Sequence, residues 1–187
     1  MIESVVVRLD DRLANAGDTL PFVGHLDIST YELSDRVLQL PNGIDYDLML
    51  TNAGEGILAT GIVRAEVLSS CDRCLDDARF EIAGEVDEYY LFHEPDAGVM
   101  EEDEEEGPDF ALVGPNYTID LSDALASAFM MEVPFVILCT EDCKGLCPVC
   151  GENLNHVDCG HGTLIEQEAE QRRMDASPFA ILKDLNI

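Results

Sequence analysis

The sequence predicts an α+β protein: an antiparallel, partly closed β-sheet with packed helices and a C-terminal cysteine-rich knuckle. Three observations predict this class. Between residues 44 and 92 apolar and polar residues alternate with a period of two, which is typical of half-buried strands. An apolar stripe at helical spacing begins near Ser122. Five of the seven cysteines then fall between residues 139 and 159.

The alternating region predicts a long antiparallel hairpin. One face of its first strand carries apolar residues, namely Ile57, Ala59, Val63, Ala65 and Val67. The return strand covers 79–90, so the connection at 71–77 places the first cysteine pair at an exposed hairpin tip. Earlier strands are expected at 5–9 and 45–50. We therefore assign residues 1–92 to an antiparallel β domain with a CxxC hairpin tip.

The second half of the chain divides at a change of composition. Residues 93–116 predict an acidic flexible loop, because six consecutive acidic residues at 101–106 repel one another and have little to bury. Residues 117–187 are expected to pack on the same domain. They begin with a helix over 122–132 that buries Leu121, Leu125 and Phe129 and stops at Pro134. Further helices are expected at about 163–174 and 178–185.

The charge of the chain restricts the partners that it can bind. Among 187 residues, ten Lys and Arg stand against 39 Asp and Glu, which gives a formal net charge of −29. Such a charge repels a phosphate backbone and excludes a broad basic nucleic-acid footprint. It also excludes membrane attachment through a polybasic patch. A basic protein is the partner expected for this surface, although a salt-rich environment would also select it.

The N-terminal sequence and the cysteine content predict a cytoplasmic protein. The first apolar run ends at Arg8 without a basic start, unlike a signal peptide. The longest apolar stretch, 124–138, is interrupted by Glu132 and Pro134 and is too short to span a bilayer. Thiols stay reduced in the cytoplasm, so clustered cysteines there indicate metal or redox chemistry rather than disulfides.

Two CxxC pairs predict a structural zinc site. Thiolates two residues apart on a tight turn can bind one ion at about 2.3 Å, and Gly151 after the second pair relieves the backbone there. The favoured ligand set joins both pairs: Cys71, Cys74, Cys147 and Cys150. Four thiolates leave no open position for water, so this zinc would be structural, and it would tie the C-terminal segment to the hairpin.

Spacing alone leaves two other ligand sets open. One is local to the C-terminal segment and uses Cys143, Cys147, Cys150 and Cys159. The other combines the hairpin pair with two later cysteines, and its members are Cys71, Cys74, Cys139 and Cys143.

The alternative to a metal site is a thiol–disulfide redox protein that uses Cys71 and Cys74. Asp72, Asp76 and Asp77 flank this pair and would raise the thiol pKa, which disfavours the reactive thiolate. No HExxH, deaminase, phosphate-loop, nucleophile-elbow or dinucleotide-binding motif is present. We therefore predict no enzymatic activity and no small-molecule substrate.

The motifs together resemble a known family. The order is CDRCL at 71–75, an acidic insert, a helix after Ile119, CKGLCPVCGENLN at 143–155 and PFAIL at 178–182. This pattern is similar to the bacterial YceD family, also found in plastids, from about residue 20 to the end. By position, Cys71, Cys74, Cys143, Cys147 and Cys150 match the family's cysteines. Many members carry a further CxC near the end, where this chain has Cys159-Gly160-His161, so the resemblance makes His161 a possible last ligand.

The resemblance implies a role in accumulation of the large-subunit ribosomal RNA, through its synthesis, processing or stability. It supplies no catalytic residues. The predicted function is a non-enzymatic ribosome-biogenesis factor that acts on the large-subunit precursor. Its contact would be a basic ribosomal protein, or rRNA at a small patch formed by Arg64, Arg73 and Arg79. The acidity of the chain favours the protein partner.

Overall fold

A computed structural model describes residues 2, 4–34, 36–94, 111–162, 164, 167, 170, 172 and 173. The chain divides into two compact units. The first, here called the sheet unit, comprises Met1–Ser69 and Arg79–Phe135. The second, here called the cysteine unit, comprises Ser70–Ala78 and Val136–Ile187.

The described regular structure consists of nine strands, one short 3₁₀ helix at Asp11–Leu13 and one bounded α-helix. The strands are β1 Val6–Arg8, β2 Thr19–Leu26, β3 Thr30–Leu33, β4 Arg36–Gln39, β5 Ile44–Asn52, β6 Gly56–Ser70, β7 Asp77–Leu91, β8 Ala111–Leu112 and β9 Thr118–Asp120. The helix α1 is Ser122–Met131.

The long hairpin predicted from the alternating region is present as β6 and β7, each of 15 residues. Strand β6 pairs with β7 along one edge and with β5 and then β4 along the other. Outside these, β2 pairs with β5, and β3 pairs with β4, all antiparallel. Strand β8 adds to β7 in parallel. A separate two-stranded sheet joins β1 to β9.

The prediction of a partly closed sheet is wrong, because the sheet is open. Among the described strands, the pairing order is β2-β5-β6-β4-β3, β7 pairs with β6, and β8 adds to β7. Closure would require pairing between the edge strands β2, β3 and β8, and none of them pairs with another. Alternation shows which face of a strand is buried, but it carries no information about which edge strands meet.

Side-chain alternation places the core on one face of the sheet. The predicted apolar face of β6 is buried, and each of its five residues is at most 8% exposed. Opposite positions on β5 are also buried, since Ile44 pairs with Ala65 and Tyr46 with Val63. Along β7, the positions that alternate with the buried ones carry exposed charges, including Glu81, Glu85 and Asp87. The outward face of β7 is therefore strongly acidic.

Helix α1 covers the core, and the prediction of its position is confirmed within one residue. Leu121, Leu125 and Phe129 are fully buried, as the stripe predicted. The Phe129 ring contacts the ring of Tyr31 on β3, with centroids 4.8 Å apart. The helix also approaches β7 so closely that a Cβ on Gly84 would lie 2.1 Å from the Ala128 carbonyl oxygen.

Several packed helices were expected, but the described chain contains only one bounded α-helix. The described residues of the predicted second helix, namely 164, 167, 170, 172 and 173, are helical. The acidic run at 101–106 and the predicted helix at 178–185 lie outside the described residues. Within the described part of the chain, no helix has both the length and the apolar character needed to cross a membrane.

Candidate metal centres

The turn at the tip of the β6–β7 hairpin has the backbone shape of a metal-binding knuckle. The Leu75 N–H donates to the Cys71 carbonyl oxygen at 3.0 Å, which closes the turn. The Arg73 N–H points at the Cys71 sulfur, with an N···Sγ distance of 3.4 Å. Leu75 occupies the left-handed region, with φ of 65°. Both cysteines of the pair are therefore presented from one side of a tight turn.

The second CxxC pair repeats this shape. The Gly151 N–H donates to the Cys147 carbonyl oxygen at 2.8 Å, and Gly151 is left-handed, with φ of 78°. Behind the turn, Leu146 and Asn153 form an antiparallel bridge, and the Cys147 N–H donates to the Glu152 carbonyl. The glycine predicted to relieve the backbone therefore stands where the turn requires a positive φ.

Four cysteines of the cysteine unit converge into a first group, here called the hairpin-tip site. Its members are Cys71, Cys74, Cys139 and Cys143. Their sulfurs all lie within 4.8 Å of one another, with Cys71 to Cys143 at 3.7 Å and Cys74 to Cys139 at 3.5 Å. A tetrahedral zinc with Zn–S bonds of about 2.3 Å needs S···S separations of about 3.8 Å. The spacing therefore fits one ion held by four thiolates.

The remaining three cysteines form a second group with a histidine, here called the C-terminal site. Its members are Cys147, Cys150, Cys159 and His161, again with all ligand atoms within 4.8 Å of one another. The His161 Nδ1 lies 3.7 Å from the Cys147 sulfur. Cys147 is buried, Cys150 is exposed, and the other two are intermediate. This site is more accessible than the hairpin-tip site, where only Cys139 is not buried.

The structure separates the two CxxC pairs that the favoured ligand set combined. Cys71 and Cys74 lie with Cys139 and Cys143, which is the grouping of one alternative set. Cys147 and Cys150 lie with Cys159, as in the local alternative, but His161 replaces Cys143 there. No single spacing rule distinguishes these groupings, because each CxxC pair can share an ion with any other pair that the fold brings near.

The thiols of the two groups differ in pKa. Burial raises the pKa of the Cys71 thiol, but backbone N–H groups, first that of Arg73, lower it more, to about 6. Cys147 likewise falls to about 6, since the N–H groups of Cys150 and Val149 outweigh burial. Burial and neighbouring thiols raise the pKa of Cys74 to about 12. The thiolate form is thus favoured at Cys71 and Cys147 and disfavoured at Cys74.

Two acidic residues of the hairpin tip, Asp72 and Asp76, accept hydrogen bonds from the segment that follows Val136. The Asp72 carboxylate accepts the Ile137 N–H at 2.7 Å, and the Asp72 N–H donates to the Ile137 carbonyl. The Asp76 carboxylate accepts from Asn153 Nδ2 at 2.7 Å, which lowers the pKa of Asp76. The pKa of Cys71 is lowered rather than raised as expected, whereas that of Cys74 is raised, by burial and neighbouring thiols rather than by these aspartates. Backbone N–H donors, which the sequence does not reveal, decide the direction at Cys71.

Two asparagines missed by the sequence reasoning support the sites. Asn155 donates from Nδ2 to the Cys143 sulfur at 3.3 Å, and its Oδ1 accepts the Lys144 N–H. Asn153 accepts the Asn155 N–H and donates to Asp76. The NLN segment at 153–155 was the signal that could have identified them, because amides placed after a CxxC knuckle can reach its sulfurs and carbonyls.

The three arginines considered for an RNA contact each lie beside an acidic or carbonyl group. Arg79 pairs with Glu66 at 2.5 Å on the sheet unit, and Arg64 lies opposite Asp45 on the neighbouring strand. In the cysteine unit, Arg73 NH1 donates to the Cys143 carbonyl at 2.9 Å. Each arginine thus has an acidic or carbonyl neighbour within its own unit.

The sheet unit also contains a cleft of about 670 Å³. Its walls include Asp10, His93 and Tyr117, but no serine, threonine, cysteine or lysine is among its described lining residues. The Asp10 carboxylate is bound by the Arg12 guanidinium, which holds its pKa at about 2 and keeps it ionised. Asp10 is therefore ionised and is not a general acid in this cleft.

Comparison with known proteins identifies the family. Residues 59–186, which include every cysteine, match the family described as large ribosomal RNA subunit accumulation protein YceD. The chain belongs to the YceD family. The resemblance seen in the cysteine motifs is thereby confirmed, and the family's description refers to the large ribosomal RNA.

Curated relatives come from mycobacteria. Uncharacterized proteins of Mycobacterium tuberculosis and Mycobacterium bovis are 37% identical over 108 residues, which is 58% of this chain and 50% of theirs. An uncharacterized protein of Mycobacterium leprae is 33% identical over 118 residues, 63% of this chain and 52% of its own. The chain thus spans about half the length of these relatives. No solved structure matches.

Proposed function

We propose that this protein is a non-enzymatic ribosome-biogenesis factor of the cytoplasm that supports synthesis, processing or stability of the large-subunit ribosomal RNA. The observation that carries the proposal is the match to the YceD family across both CxxC knuckles. The four cysteines at the hairpin tip form a closed ligand set with no position left for a substrate, which supports a binding role rather than turnover.

A basic protein of the large subunit is the partner that the charges support. The sheet unit carries 27 of the 39 acidic residues and five of the ten basic ones. Exposed carboxylates on the outward face of its strands include Asp47 on β5 and Glu81, Glu85 and Asp87 on β7, here called the acidic face. Such a field attracts a basic chain at long range and repels rRNA.

In this proposal a zinc ion in the hairpin-tip site has a structural role. All four positions would be taken by thiolates, leaving none for water or substrate. Zinc would hold the hairpin tip to the segment after Val136, where the buried residues described are few. A C71S variant should therefore lose zinc and unfold more easily, whereas a redox enzyme would lose only turnover.

The thiol–disulfide alternative has one observation in its favour, the lowered pKa of Cys71. Exposure weighs against it, since Cys71 is 0% and Cys74 is 3% exposed, and a disulfide partner must reach the attacking sulfur. Reversible oxidation of this pair in the zinc-loaded protein, near the cytosolic potential, would favour the alternative.

Depletion of the protein in the cells that encode it tests the ribosomal role. We expect the ratio of large- to small-subunit rRNA to fall, with recovery on expression of the wild-type chain. An unchanged ratio, with normal subunit profiles on a sucrose gradient, would contradict the proposal.

Charge variants test the partner class separately. Replacing Glu81, Glu85 and Asp87 by Gln, Gln and Asn should weaken capture of basic large-subunit proteins by about tenfold or more, because the attraction is lost with the carboxylates. The control removes the same charge from the cysteine unit with Glu141→Gln, Asp142→Asn and Glu152→Gln, which are also exposed. Equal loss in both variants would show a non-specific charge effect.

A further inference from the structure

The donors of the C-terminal site form a complete ligand set by themselves. Three sulfurs and one imidazole nitrogen lie within 4.8 Å of one another, and none is shared with the hairpin-tip site. For a tetrahedral zinc, an S···N separation of about 3.6 Å is expected from the usual bond lengths. The Cys147 sulfur and the His161 Nδ1 are 3.7 Å apart. The geometry thus accommodates an ion with no rearrangement of this pair.

The backbone around these donors is shaped as it is at the hairpin tip. Both knuckles close with an N–H donated to the first cysteine's carbonyl, and both have a left-handed residue after the second cysteine. Between Cys159 and His161, Gly160 is also left-handed, with φ of 73°, and its N–H donates to the Asp158 carboxylate. This turn presents Cys159 and His161 to the same point as the knuckle.

Burial in the cysteine unit gives an independent reason for a second ion. Apart from its cysteines, the described residues of this unit include only two buried apolar side chains, Ala78 and Ile137. Two such side chains cannot offset the conformational entropy of ordering the segment from 144 to 161. In that segment, the side chains that converge are the cysteines and the histidine of the C-terminal site rather than apolar side chains.

We propose that the C-terminal site binds a second zinc ion, independent of the first, through Cys147, Cys150, Cys159 and the Nδ1 of His161. Three thiolates with one imidazole are a ligand set typical of structural zinc. The protein then carries one S₄ ion and one S₃N ion, and the second orders the knuckle at 147–151. This inference does not depend on the ribosomal role.

Metal analysis of the purified, reduced full chain tests the proposal, with variants chosen around His161. We expect about two zinc ions per wild-type chain and loss of about one in His161→Ala. His161→Cys should retain about two, because it restores a soft ligand. The control His156→Ala should also retain two, since the Nε2 of His156 lies 3.3 Å from Asp76 rather than in either site.

X-ray absorption at the zinc edge gives a second readout that does not depend on the stability of a variant. The wild-type spectrum should fit about one nitrogen for every seven sulfurs, and His161→Cys should fit sulfur alone. One zinc per wild-type chain would overturn the proposal, as would iron in place of zinc. Two zinc ions with a shell unchanged in His161→Cys would also overturn it, because His161 would then not be a ligand.

Discussion

At the scale of single residues, the left-handed position that closes each knuckle is occupied by different residue types. Leu75 holds it in the first knuckle, with its side chain 67% exposed, and Gly151 holds it in the second. A Cβ in this conformation costs about 1 kcal/mol, so the first turn tolerates a strain that the second avoids. The glycine after the second pair predicted a turn from the sequence. The left-handed conformation of Leu75 could not be predicted, because leucine rarely adopts it.

Gly151→Ala should lower the free energy of unfolding of the zinc-loaded protein by about 1 kcal/mol. The cause is conformation alone, because a Cβ there would meet nothing within 4 Å. Denaturant unfolding measures it, with Gly162→Ala as the control: that Cβ also meets nothing, and its backbone needs no positive φ. Equal effects of the two substitutions would contradict this explanation.

At the scale of elements, Asp120 connects the segment before β1 to β9 and the start of α1. Its carboxylate accepts hydrogen bonds from the Ser4 hydroxyl, the Val5 N–H and the N–H and hydroxyl of Ser122. These bonds, the Ser4 hydroxyl first, lower the pKa of Asp120 to about 2. A single carboxylate thus joins the junction of β9 and α1 to the segment before β1, which is distant in sequence.

The stabilising effect of Asp120 should depend on pH. Because the folded pKa lies below the ordinary value of 3.8, the contribution is complete above about pH 4 and is lost as the pH falls towards 2. Asp120→Asn should therefore be less stable than the wild type at pH 7 and converge with it near pH 2 in thermal unfolding.

Asp10→Asn is the control for this prediction. The pKa of Asp10 is also about 2, but its carboxylate binds Arg12 only two residues away, a contact that can persist in the unfolded chain. Its effect should be smaller. A constant difference between Asp120→Asn and the wild type from pH 7 to pH 2 would refute the assigned role of the Asp120 charge.

The packing of α1 on β7 depends on Gly84. Gly84→Ala should destabilise the sheet unit by about 1–3 kcal/mol, because the added Cβ meets the Ala128 carbonyl rather than a movable side chain. Chemical denaturation monitored by tyrosine fluorescence measures this. Gly114→Ala is the control, since its closest contact is 3.3 Å away. No loss of stability in Gly84→Ala would mean that the helix can shift freely on the strand.

At the scale of the whole molecule, the two units are stabilised in different ways. The sheet unit buries a continuous apolar face that runs through β5, β6 and α1. The described part of the cysteine unit buries mainly cysteines. A fold that lacks an apolar core usually requires a metal or disulfides, and the seven cysteines are all free.

Removal of zinc should therefore affect the two units unequally. With a strong chelator and reductant, amide hydrogen exchange should become fast at 71–76 and 137–161, because the ions proposed to hold the cysteine unit would be removed. Exchange in β5 and β6 up to Val67 should stay slow, since those strands bury apolar side chains. Uniform loss of protection across both units would contradict a metal-dependent second unit.

The sequence allowed prediction of what is local. Alternation identified the buried face of β6, and the stripe at Leu121, Leu125 and Phe129 identified α1. Each CxxC pair was predicted to supply two ligands to one ion, and the two sulfurs of each pair lie in the same group. Closure of the sheet and the partners of each pair depend on contacts between residues far apart, such as Cys71 with Cys143. Periodicity and spacing carry no information about such contacts. Neither the closure of the sheet nor the grouping of the cysteine pairs could therefore be predicted from them.

In-cell crosslinking of the tagged protein, followed by identification of the bound RNA and proteins, tests the central claim most directly. The account predicts that large-subunit proteins are enriched over small-subunit proteins, with a basic protein crosslinked to the sheet unit and precursor of the large-subunit rRNA recovered with it. Recovery of neither, with mixed disulfides to Cys71 or Cys74 instead, would contradict the account and favour thiol chemistry.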